Sequence, residues 1–128
     1  MTRGNQICFK ETMNMGSELI VSFELDGTHF WPNAPKKYEE FSHPHRHLFK
    51  FICWKPVEVK SNVDRPIELW ELRKNTISII EQVFCKNENG VVNFADFSCE
   101  GIANYVKDSE GFSKVFCGEE WFLGAIVC

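Results

Sequence analysis

The sequence predicts an α+β domain in which two helices lie on one face of an antiparallel sheet. Three observations predict it. Apolar segments of strand length lie toward both ends of the chain, two helical stripes lie between them, and 128 residues suit one domain with one core. The expected order is strand, strand, helix, helix, strand, strand (ββααββ), giving a four-stranded sheet within a single domain, residues 1–128. The hydrophobic fraction of 44% is enough to fill such a core, and twelve phenylalanines and four tryptophans favour strands over disorder.

The first strand is Ser17 to Leu25, an apolar-rich run. Residues 27–44 hold Gly27, Pro32, Asn33, Pro35 and Pro44 and read as a long loop, a kind of segment that often carries function. Residues 45–59 read as the second strand. Period-two alternation puts His45, His47, Phe49, Phe51 and Cys53 on one face, and Pro56 marks its exposed or edge end. A helix follows from about Pro66 to Phe84, capped by Asp64 or a neighbour, with Leu69, Leu72, Thr76, Ile80 and Val83 forming one stripe. Lys86 to Gly90 is a turn. Ser98 caps a shorter helix reaching about Lys107, with Ile102, Tyr105 and Val106 on or near its buried side. The last two strands are Phe112 to Cys117 and Trp121 to Val127.

Composition excludes several functions. The formal net charge is −4 and the longest basic stretch is Lys36-Lys37, so no nucleic-acid partner is expected. No segment approaches a membrane span, and Met1 to Lys10 lacks the apolar run of a signal peptide. The six cysteines are scattered, with no C-x-x-C pair, which fits reduced thiols in a cytoplasmic protein.

Chemistry concentrates in the histidines. The chain has four, His29, His43, His45 and His47, and none follows His47. Alternate residues on a strand project to one side, so His45 and His47 can converge on one ion. His29 lies at the end of the preceding strand and closes the site if the two strands pair. Three histidines with one open position is a catalytic zinc arrangement. The alternative is a set of surface histidines in a proline-containing loop. His43 competes for the ligand role, but Pro44 separates it from the strand.

From about Leu19 to Val127 the chain resembles the family of 6-pyruvoyl- and 6-carboxy-tetrahydropterin synthases. Phe23 to Pro32, FELDGTHFWP, is similar to that family's first strand and first zinc histidine. His45-Arg46-His47 resembles its His-Gly-His, with arginine in place of glycine. Ile67-Glu68-Leu69 through Leu72 resembles its Val-x-Asp-Phe entry to the first helix. Ser98-x-Glu100 with Ile102-Ala103 resembles its Pro-Thr-x-Glu entry to the second, and Val115-x-x-x-Glu119 resembles the late strand whose glutamate anchors the pterin ring.

The resemblance implies a T-fold, zinc on His29, His45 and His47, a pterin- or purine-like ligand held by Glu119, and a homo-oligomer of trimers or stacked hexamers. It implies a zinc-dependent lyase acting on a reduced pterin or a guanine-derived nucleotide such as dihydroneopterin triphosphate. Two departures alter that expectation. The family's catalytic cysteine stands four residues before the His-x-His pair, where this chain has Phe41, and its later Asp-His pair has no counterpart here. Glu39, Glu40 and His43 lie near the vacated position, and Glu40 and His43 are the candidate catalytic residues; otherwise Glu39 and Glu40 are loop charges. Phe30 and Trp31 read as core, with a pocket wall as the alternative. A non-catalytic T-fold module that binds a pterin- or purine-like ligand or a protein partner is the second reading, and an unrelated metal-binding or structural domain the third.

Overall fold

The computed structural model describes residues 16–120 and 123–128, so the expected strand start at Trp121 and the expectation for Met1 to Lys10 lie outside the described residues. The elements are β1 (Gly16–His29), a 3-10 segment (Lys36–Ser42), β2 (His45–Glu58), α1 (Leu69–Val83), β3 (Val92–Asn93), α2 (Cys99–Glu110), β4 (Lys114–Glu119) and β5 (Leu123–Val127). They form an α+β fold with a five-stranded mixed sheet in the order β3-β1-β2-β4-β5. Four of these strands run antiparallel in sequence order, as expected. The fifth, β3, is an addition to the expected sheet: two residues pair parallel with Gly27 and Thr28 of β1. A strand that short has no periodicity to read.

β1 continues four residues beyond the expected Leu25 and takes in the start of the expected loop. The reason lies in Gly27. Phe94 and Phe49 pack so closely over its backbone that an added Cβ would sit 2.7 Å from a Phe94 ring carbon. The missing side chain makes room for those rings, and the strand runs on to His29. Antiparallel register then sets His29 opposite His45 and Gly27 opposite His47. Pro56 is exposed and lies past Trp54, where β2 loses its β4 neighbour, so its missing N–H disrupts no second ladder.

Both helices pack on one face. Leu72 and Ile80 of α1, and Ile102, Ala103 and Val106 of α2, share a core with alternate residues of β1, β2 and β4, among them Phe23, Phe51, Cys53 and Val115. Burying each such large side chain contributes about 1.5–3 kcal/mol. The α1 stripe is shorter than expected: Leu72, Thr76 and Ile80 are buried, whereas Leu69 and Val83 are exposed at its ends. The Thr76 hydroxyl satisfies itself by donating to the Leu72 carbonyl at 2.8 Å. The cap of α1 is Glu68, whose carboxylate accepts from the Trp70 and Glu71 amides, and the helix begins at Leu69 rather than at Pro66. Asp64 instead accepts from the Lys60 amide in the preceding turn. Ser98 caps α2 as expected, accepting from the Gly101 amide, and the helix ends at left-handed Gly111.

Candidate metal centre

The histidine site is built where β1 and β2 end together. His45 and His47 share the core-facing side of β2 with Phe49, and His29 faces His45 across the pair. The rings meet edge to face in a cluster, 4.6 Å between the centroids of His29 and His45 and 4.9 Å between those of His45 and His47. Phe49 forms its floor, edge-on to His29 and His47, and itself rests on Phe94. The β2–β4 register, Lys50 against Gly118, carries Glu119 to the same end of the sheet. One ligand atom each from His29, His45, His47 and Glu119 lies within 4.8 Å of the others.

Each imidazole is oriented through Nδ1. His29 Nδ1 meets the Phe97 carbonyl at 3.0 Å, His45 Nδ1 the His43 carbonyl at 3.0 Å, and His47 Nδ1 a Glu120 carboxylate oxygen at 3.2 Å. All three partners can only accept, so each Nδ1 carries the ring proton and Nε2 is left as the free nitrogen. A hydrogen-bonded Nδ1 and a free Nε2 is how metal-binding histidines are commonly held. His29 is 8% exposed, and its Nε2 is a buried polar atom without a hydrogen-bond partner. A Glu119 oxygen lies 3.0 Å from it. These donors fit a divalent ion bound through imidazole nitrogen.

The charges adjust to one another. Burial works against a charge on His29, but the Glu119 carboxylate and the Phe97 carbonyl outweigh it and raise its pKa above 6.5. Glu119 is held below the ordinary carboxylate range by contact with His29, against burial, with the charges of His47, His29 and His45 assisting.

A cavity of about 380 Å³ opens beside His29 and His45. Phe30, Trp31, Phe41 and Phe97 supply its aromatic surface, and Asp96, Ser98, Cys99, Glu100 and Glu119 its polar groups. Phe30 and Trp31 are therefore pocket wall rather than core, and Trp31 is 46% exposed. Phe41 also faces the site, its ring 5.4 Å from His45, and offers no group for proton transfer. Glu40 and His43 are not among the cavity residues. They line a separate surface depression with Lys36, Lys37, Glu39 and Ser42, and His43 reaches the site only through its backbone carbonyl.

The structure adds groups that sequence reasoning did not single out. Phe97 and Glu120 orient two of the histidines. Cys99, the first residue of α2, is held below the usual thiol range by a hydrogen bond from the buried Cys117 thiol, against its own burial. The turn that delivers Phe97 follows β3: the Phe94 amide donates to the Thr28 carbonyl at 2.8 Å and the Phe30 amide to the Ala95 carbonyl at 2.9 Å. The described cysteines are all free, and no helix among the described residues is long and apolar enough to cross a membrane.

No protein-family model matches the chain, and no curated protein matches it.

Proposed function

We propose that this chain is a zinc-dependent lyase of the pterin-synthase type, acting on a reduced pterin or a guanine-derived nucleotide bound in the aromatic cavity beside His29 and His45. The observation that carries this reading is the set of three clustered imidazoles with Nδ1 committed to acceptors, two of which, His29 and His45, line that cavity. The order of strands β1, β2, β4 and β5, with both helices on one face, supports the T-fold that the sequence resemblance implies.

Zinc bound there would polarise a side-chain hydroxyl or carbonyl oxygen of the substrate. The chain's own residues do the rest. Phe30, Trp31, Phe41 and Phe97 offer apolar surface to a flat ring, and the Asp96 and Glu100 carboxylates accept hydrogen bonds from its amino and ring N–H groups. Proton abstraction falls to a group on the cavity wall; Cys99 lines that wall, its thiol held below the usual range by the hydrogen bond with Cys117. The exposed edge strand β5, with Leu123 and Ile126 open to solvent, supports assembly into a homo-oligomer.

The test begins with metal content in protein purified without a histidine tag. About one zinc per chain is expected, lost in the His45→Ala, His47→Ala double variant. Dihydroneopterin triphosphate and its dephosphorylated form are then assayed for side-chain cleavage, which Cys99→Ser should reduce. Wild type that takes up no zinc rejects the proposal.

A non-catalytic ligand-binding module is the second reading. Phe41 at the position of the family's thiol favours it. It predicts saturable pterin or guanine binding by the zinc-loaded protein with no turnover.

A further inference from the structure

We infer that Glu119 is a fourth protein ligand of the metal, making the centre three imidazoles and one carboxylate. The inference rests on the three-histidine reading above and extends it.

The argument starts from lone pairs. His29 and His47 both carry their ring proton on Nδ1, because Phe97 O and Glu120 Oε2 can only accept. In the neutral ring each Nε2 then presents a lone pair. Those two lone pairs face the two oxygens of one carboxylate: His29 Nε2 lies 3.0 Å from Glu119 Oε2, and His47 Nε2 lies 3.4 Å from Glu119 Oε1. Acceptor against acceptor at this range is repulsive unless a cation stands between them. A proton is one such cation, and it would draw the pair into a straight hydrogen bond. At His29 the Nε2 atom has no hydrogen-bond partner although Glu119 Oε2 is 3.0 Å away and the ring is buried.

A metal ion makes a different demand. Its ligand atoms approach each other edge to edge and need no N–H···O line. Ligands about 2.1 Å from an ion lie about 3.4 Å apart at the corners of a tetrahedron and about 3.0 Å apart in an octahedron. The two observed separations, 3.0 Å to Oε2 and 3.4 Å to Oε1, are of this size, so either oxygen of Glu119 can supply the carboxylate corner. The full set of four spans 4.8 Å, so binding draws the widest pair inward by a small movement. A tetrahedral ion held by these four has no position left over, which makes release of Glu119 a condition for any substrate oxygen to reach it.

Cobalt(II) provides the test, because its visible absorption reports coordination without turnover. Metal-free wild type, Glu119→Gln and Glu119→Asp are titrated with cobalt chloride, with circular dichroism to verify folding. Wild type should bind about one cobalt per chain with the intense band of a four-coordinate site. Glu119→Gln should bind at least about tenfold more weakly, since even losing an outer partner of a ligand costs 10- to 100-fold, and its band should weaken and move. Glu119→Asp, which keeps a carboxylate, should fall between the two. An unchanged band and affinity in folded Glu119→Gln overturns the fourth ligand and leaves the three histidines standing. Absence of cobalt from wild type overturns the three-histidine reading beneath it.

Discussion

Gly27 couples the core to the histidines at the scale of one residue. An added Cβ there would lie 2.7 and 2.9 Å from Phe94 ring carbons and 3.0 Å from a Phe49 ring carbon. Both rings are fully buried, so neither can swing aside into solvent. Gly27→Ala should therefore cost about 1–3 kcal/mol, as overpacked cores do, read as a lower denaturation midpoint. Because Phe49 stands edge-on to His29 and His47, metal affinity should fall with it. An unchanged midpoint and an unchanged affinity would show that the rings yield freely. The three histidines themselves were legible in the sequence, because His45-x-His47 on a strand has only one geometry and His29 ends the strand beside it. Their orienting partners were not. One is the carbonyl of Phe97, a group every residue carries, and another is the carboxylate of Glu120, 73 residues from His47 along the chain.

Elements were legible where local chemistry announces them. The Ser98 cap and the alternation of β2 are such cases, and the structure has both. The α1 cap was misplaced because Pro66 is a helix-start signal that here belongs to the preceding turn, and a glutamate is an uncommon cap. β3 was illegible because its two residues gain their partner from β1, far away in sequence. That short strand matters most for the site, since the turn after it delivers both the Phe97 carbonyl and the first turn of α2. Ser98→Ala should destabilise the protein by about 1 kcal/mol, the cost of a lost cap. It should also weaken metal binding, because Ser98 adjoins the residue that orients His29. Ser98→Asp, which keeps an acceptor, should restore both in denaturation and metal titrations. Loss of stability with untouched metal affinity would separate the α2 cap from the centre.

The whole molecule should register the metal in its stability, with a sign that depends on pH. Without metal, the raised pKa of His29 favours the folded state below the unfolded value of 6.5, and that contribution is lost as pH rises through the folded value. Glu119 acts in the opposite direction: its lowered pKa contributes above 4.5 and is lost as pH falls through the folded value. The pair thus supports the metal-free fold best between 4.5 and 6.5. Zinc needs the His29 lone pair and displaces that proton, so its stabilisation grows over the same rise in pH that weakens the metal-free protein. At a free zinc concentration 100 times its dissociation constant the gain is about 2.7 kcal/mol. The zinc-dependent rise in Tm should accordingly be larger at about pH 7.5 than at about pH 5.5, on either side of the histidine range. Scanning calorimetry at both pH values, with zinc and with a chelator, measures it directly. A rise of equal size at the two would mean that zinc binds without competing for the imidazole nitrogens, and the centre would have to be sought among other side chains.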